Sequence, residues 1–195
     1  MDDLTQLLMQ QLSGNELSQI GQQIGTDEKT ASSALSAAIP LLVSALAKNA
    51  SEPEGAESLN QALAEDHDGS ILDGLFGFLS NPQAAEGAGI LGHVLGPKQP
   101  AIKKGLAQGT GLESDQVGQL LQIAAPLVMG ALGRQRKQQN LGTNDLADFL
   151  GNQKQKAQET NPDMMSTLNS LLDMDQGGSA LDDILGIAGK LFGGG

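Results

Sequence analysis

Apolar residues recur at helical spacing along most of this chain, and no window alternates in the manner of a strand. Leu4, Leu7, Leu8 and Leu12 share one face of a predicted helix over 2–12. Ser13-Gly14-Asn15 interrupts it, and Asn15 is placed to cap the next helix, whose inner face carries Leu17, Ile20 and Ile24. Gly25 is positioned to end that helix in a left-handed turn, and Thr26 or Asp27 to open another. Ala31, Ala34, Leu35, Ala38 and Ile39 follow at three- and four-residue steps and run into Pro40, which must kink or split the helix, because proline lacks the N–H and crowds the preceding turn. Leu41 to Leu46 continue the apolar run. Asn49 to Gly55 reads as a loop, 56–64 as a short helix, and Ile71, Leu72, Leu75, Phe76 and Leu79 as a further helical stripe. Asn81-Pro82 marks a turn, and a Gly- and Ala-rich helix over 83–95 ends at Gly96-Pro97.

The pattern then repeats. At an offset of 86, Gly25 meets Gly111, Leu35 meets Leu121, Pro40 meets Pro126 and Leu46 meets Leu132; the 22 ungapped pairs contain seven identities. A second block, Gly69-Ser-Ile-Leu-Asp73, matches Gly178-Ser-Ala-Leu-Asp182 at an offset of 109. The 23-residue difference is assigned to an insertion in the polar stretch 151–161, read as a linker. The expectation is an all-α fold of two tandem, similar helical units, 1–96 and 97–195, with Pro-containing central helices and no sheet. Gly25, Pro40, Gly111 and Pro126 are its structural anchors.

Charge changes the picture in one respect. The net charge is −12, yet residues 1–86 hold 13 acids against Lys29 and Lys48, whereas residues 87–195 hold ten acids against nine bases. An acidic surface repels phosphate backbones and anionic lipid, so nucleic-acid and membrane partners are disfavoured. The asymmetry suits head-to-tail contact between copies. Four aromatics, all Phe, leave a core of small and aliphatic side chains with modest area per contact. No cysteine, an acidic N-terminus and no apolar run near ~18 residues point to a cytoplasmic protein.

The segments Leu17-Ser-Gln-Ile-Gly-Gln-Gln-Ile-Gly25, Thr30-Ala-Ser-Ser-Ala-Leu-Ser-Ala-Ala-Ile-Pro40 and His67-Asp-Gly-Ser-Ile-Leu-Asp73 resemble the bacterial YidB-like family, a domain of unknown function. The similarity is strongest over 12–95, with a weaker version over 101–190, which reads as two tandem copies. The resemblance implies a helical bacterial protein and brings no activity, cofactor or catalytic residue.

Four constellations bear on chemistry. Gly21, Gly25 and Ala31, and again Ala107, Gly111 and Val117, have helix-turn-helix spacing. The second helix would open with Asp27 and Glu28, or Glu113 and Asp115, which oppose phosphate; Lys103, Lys104, Arg134 and Arg136 are the candidate nucleic-acid contacts of the second copy. Asp66, Asp68 and Asp73 suggest a calcium loop, but position 12 is Gly77, so a helix cap by Asp68 or Ser70 is the simpler reading. Two histidines and no cysteine make a poor ligand set, no motif frames a nucleophilic serine, and His93 is read as a half-buried helix residue. Gly87, Gly89, Gly92 and Gly96 are read as a close helix approach. Leu181, Ile184, Leu185, Ala188 and Leu191 form an apolar stripe whose opposite face is acidic, suited to docking on protein. The function expected is therefore a non-enzymatic interaction or self-assembly module without cofactor or metal, its partner another protein or a second copy. The alternative is DNA binding through the second copy.

Overall fold

The computed structural model describes residues 4–12 and 14–160, the side chains of 83 and 84 excepted, and the isolated positions 162, 165, 166 and 170. The described residues are helical and contain no strand. In chain order the helices are α1 (Leu4–Gln11), α2 (Asn15–Ile24), α3 (Glu28–Asn49), α4 (Pro53–Glu65), α5 (Leu75–Ser80), α6 (Gly87–Leu95), α7 (Gln99–Thr110), α8 (Ser114–Gln139) and α9 (Thr143–Thr160). Short 3-10 turns at Ser70–Leu72, Pro82–Ala85 and Gly96–Lys98 join the middle elements.

The two long helices form the centre. α3 and α8 are buried around most of their circumference and pack on each other. α3 also touches α6, α7 and α9, while α8 touches α1, α2 and α4; α4 in turn touches α9. Each long helix is thus covered by helices from the other half of the chain as well as its own. One hydrophobic core runs from Leu4 to Met165, and it includes Leu35 and Leu121, both fully buried. By length and composition alone α3 and α8 could cross a membrane, a property that the expectation of no such apolar stretch missed. Most of each apolar window lies inside the protein, as in the core helices of a packed bundle.

Local chemistry explains the boundaries. α2 ends at Gly25 (φ 76°), and the Thr26 N–H reaches back to the Gly21 carbonyl at 2.8 Å. α3 opens on Asp27, whose carboxylate accepts from the Thr30 N–H at 3.0 Å and from its hydroxyl at 2.7 Å. Those hydrogen bonds, the backbone one foremost, hold the Asp27 pKa below the ordinary carboxylate value. α7 ends at Gly111 (φ 74°), and α8 opens on a capping box between Glu113 and Gln116. The Gln116 side-chain amide also donates to the carbonyls of Ile24 (2.9 Å) and Gly25 (3.1 Å), so the α8 cap is tied to the end of α2.

Some expectations shift. Asn15 is the first residue of α2 and makes no cap; Gly14 (φ 61°) takes that place. The loop expected from Asn49 to Gly55 shrinks to three residues, because Pro53 starts α4 at a position where its missing N–H costs nothing. Pro40 and Pro126 split neither helix: both lie inside continuous elements. The polar stretch 151–161 is no linker through Thr160, since it forms the second half of α9. Its Gln, Lys, Glu and Ala are good helix formers, and Gln153 is buried with its side-chain oxygen accepting the Leu4 N–H of α1 at 3.1 Å. The block 178–182 and the stripe 181–191 lie outside the described residues.

Candidate interaction cleft beside the second proline helix

Pro126 has no N–H to offer the carbonyl of Gln122, one turn earlier. The N-terminus of α6 comes against that oxygen. A Cβ on Gly87 would lie 2.0 Å from the Gln122 carbonyl oxygen, closer than any side chain could tolerate, so this position demands glycine. Of the four glycines expected to mark a close approach only Gly87 does so; Gly89 and Gly92 face open space, and Gly96 (φ 53°) serves a turn.

Where α6 meets α8, a cleft of about 650 Å³ opens. α2 contributes Gln23, the end of α5 gives Ser80, Asn81 and Pro82 follow it, Glu86 and Gly87 enter α6, and α8 contributes Gln119, Gln122 and Ile123. Gln23 donates to the Leu79 carbonyl, which pins α2 to α5. Glu86 adopts φ 51°, a left-handed backbone that costs a non-glycine residue roughly 1 kcal/mol or more. The lining is dominated by side-chain amides, each able to donate and to accept. Glu86 is its one titratable side chain, and the Ser80 hydroxyl is committed to the Phe76 carbonyl at 2.8 Å.

Phe76 lies one helical turn before Ser80, which lines the cleft. It is 74 % exposed, the one large apolar side chain so exposed among the described residues. Being four residues before Ser80 on α5, it lies on the same helix face, about 5–6 Å away between Cβ atoms. Its neighbours Phe78 and Leu79 are buried, so the short helix is anchored while Phe76 points out. The expected stripe of Ile71, Leu72, Leu75, Phe76 and Leu79 is therefore wrong at Phe76: Ile71 and Leu72 lie in a separate 3-10 turn, α5 starts afresh at Leu75, and Phe78 takes the inward place.

The basic residues singled out for nucleic acid do not converge. The Lys103 ammonium lies over Gly118 near the start of α8, and Lys104 beside it is exposed. Arg134 lies 16 residues further along the same helix, about 24 Å at 1.5 Å per residue. Arg134 donates to the Gly69 carbonyl at 3.0 Å and to the Asp73 carboxylate at 2.5 Å, and Arg136 donates to the Asn60 side chain at 2.5 Å. Arg134 holds the segment after α4 onto α8, and Arg136 ties α4 itself to α8. Gly25 and Gly111 sit at left-handed turns in two helix–turn–helix corners, with Ala31 and Val117 fully buried beneath them.

The acidic loop at 66–73 lies against the Arg134 end of α8. The cap expected of Asp68 or Ser70 falls to Gly69, which opens a short 3-10 turn; Asp68 accepts the Ser70 N–H at 3.0 Å, and that bond holds its pKa below the ordinary value. No group of three or more His, Cys, Asp or Glu side chains is placed to hold a metal among the described residues. His93 is exposed rather than half-buried, and its carbonyl accepts from Asn49 at 3.4 Å.

His67 is partly buried, and burial pushes its pKa below the ordinary histidine value of about 6.5, opposed by the nearby Asp66 charge. The unfolded chain therefore takes up this proton at higher pH than the folded one. Stability from this site is present above about pH 6.5 and is lost as pH falls through that value toward the depressed folded pKa. Melting temperatures of the parent and His67→Gln, measured from pH 8 to pH 5, are expected to diverge, with the variant losing less. Parallel curves would remove His67 from the pH response.

No curated protein and no solved structure matches this chain. One family model does, over residues 6–135, and the match is single: it runs through both helix–glycine–helix segments instead of repeating for each. With two thirds of its length matched, this chain belongs to DUF937, a family of bacterial proteins of unknown function.

Proposed function

We propose that this chain is a non-enzymatic helical module that associates with a second copy of itself through the face carrying Phe76 and the amide-lined cleft. The exposed phenylalanine one helical turn from the cleft residue Ser80 carries this reading. An aromatic ring held out from an anchored helix is the kind of group that dominates binding when a partner pocket buries it. The amide lining supports it, since Gln23, Gln119 and Gln122 can pair with a neighbour's backbone without burying charge. The acidic first 86 residues and the nearly neutral remainder favour a heterologous, head-to-tail contact.

The test is light scattering during size exclusion, from micromolar concentration upward. A mass above the 20.1 kDa of one chain is expected, falling to that value in Phe76→Ser. A single-chain mass throughout sinks self-association. Duplex DNA at low salt is the control for the rival reading: a shift abolished in Lys103→Glu/Lys104→Glu would move the function to the α7–α8 corner.

We also read the chain as an internal duplication, in which α1–α4 correspond to α6–α9 around a pseudo-two-fold axis between α3 and α8. The 86-residue offset carries Glu28 onto Ser114 and Asp27 onto Glu113, so the helix starts and N-caps coincide as well as the glycines and prolines. The exchange of contacts supports the axis, since α3 takes α6, α7 and α9 while α8 takes α1, α2 and α4.

A further inference from the structure

Charge is segregated along this chain more sharply than its two halves suggest. Between Lys48 and Lys98 lie eight acids and no lysine or arginine, and both Phe76 and Glu86 fall within that span. From Gly87 to Leu112 there are three lysines and no acid. Of the described helices, α7 alone carries lysine or arginine without an acid. Buried Ile102 and Leu106 hold its inner face, and it packs on α3 and α8. Pro100, Lys104 and Gln108, four residues apart, form its exposed outer stripe. The Lys103 ammonium lies over Gly118, which leaves Lys104 as the cation of that stripe.

On the cleft face the matching group is Glu86. It is exposed, and its side chain makes no hydrogen bond or ion pair among the described residues. It nevertheless stands at φ 51°, a backbone that glycine would hold without strain. A strained residue whose side chain holds nothing in its own chain points to a contact outside it. We propose, resting on the self-association reading, that the face carrying Phe76 and Glu86 docks on the outer stripe of α7 in a second copy, with Glu86 paired to Lys104 of that copy. None of the residues lining the cleft belongs to α7, so the two surfaces of the contact are separate on one chain. Pro100 and the methylene stem of Lys104 give the phenyl ring an apolar seat, while the ammonium meets the carboxylate. The contact sets the acidic span of one chain against the acid-free span of the next. That offsets the repulsion which a net charge of −12 imposes on two copies.

The readout is mass by light scattering during size exclusion, with circular dichroism to establish that each variant is folded. Low salt keeps the contact unscreened. Glu86→Lys and Lys104→Glu place like charges at the contact, so each alone is expected at the 20.1 kDa of one chain. An equimolar mixture of the two regains the parent mass: native Glu86 meets native Lys104, and the introduced lysine meets the introduced glutamate. A pair formed within one chain would not be restored by mixing. Lys29→Glu makes the same charge change at an exposed lysine of α3 and keeps the parent mass. Parent mass in both single variants, beside dissociation in Phe76→Ser, overturns the α7 docking and leaves the self-association reading standing. A mixture that stays at single-chain mass overturns the Glu86–Lys104 pairing. Dissociation in Lys29→Glu also overturns it, since net charge and not the α7 stripe would then govern. A parent that is a single chain at every concentration removes the self-association reading and the docking with it.

Discussion

Leu121→Ala is expected to cost about 2–5 kcal/mol of folding stability, and Leu35→Ala a comparable amount. Both side chains are fully buried in the long central helices, so truncation loses transfer free energy and leaves a cavity that a close-packed interior fills only in part. For a chain with an aromatic-poor core this is a large share of the total, since domains are commonly stable by about 5–15 kcal/mol. Urea unfolding followed by circular dichroism measures it through the midpoint shift. The comparison also examines the duplication. Similar losses are the result expected of two sites related by pseudo-symmetry. A loss confined to one of them would mean that the matching positions share sequence but not environment.

Gly133→Ala is expected to cost about 3 kcal/mol, the upper end of ordinary overpacking. The added methyl meets the His67 carbonyl oxygen at 1.7 Å and its carbon at 2.8 Å, backbone atoms that can yield only if the whole connection after α4 moves. That movement would break the Arg134 bonds to Gly69 and Asp73 and expose Leu72. The exposed ion pair alone is worth little, because Asp73 is largely in water; the loss comes from the displaced backbone and apolar side chains. Gly89→Ala provides the contrast. It faces open space within α6, so the substitution should add about 0.5–1 kcal/mol through helix propensity. If both variants shift the urea midpoint in the same direction, the close approach at Gly133 is not what governs the site.

The helical spacing of Leu17, Ile20, Ile24, Ala31, Leu35 and Leu121 was enough to establish an all-helical protein, because a helix that buries one face must place apolar residues every three or four positions. The glycines at 25 and 111 were legible for a similar reason, since a left-handed turn at a helix end is cheap only for glycine. Asp27 could be read as a cap because capping is a local bond between a side chain and a nearby N–H. The polar run 151–160 was misread because polarity describes only what a residue prefers in isolation. Gln153 is buried because α1 supplies an N–H for it to accept, a partner 149 residues away.

The candidate site was less legible still. Lys103, Lys104, Arg134 and Arg136 look like one basic cluster when counted along the chain, yet the lysines lie on α7, where Lys103 meets the start of α8 about 24 Å from Arg134, and the two arginines are occupied by oxygens of Asn60 in α4 and of Gly69 and Asp73 after it. The spacing put Phe76 on the apolar stripe, yet Phe78 is the buried ring, since which one faces water depends on where α5 lands against the rest of the molecule. The same holds for Gly87, whose need for glycine arises from a carbonyl that Pro126 leaves open on another helix. The sequence by itself determined the helical character of the chain, the glycine turns at 25 and 111 and the echo between the two halves, because local spacing and backbone preference carry them. The tertiary structure alone decided which helices share the core, which charges are spent in holding it and which aromatic is left on the surface, because those depend on contacts between residues far apart in the chain.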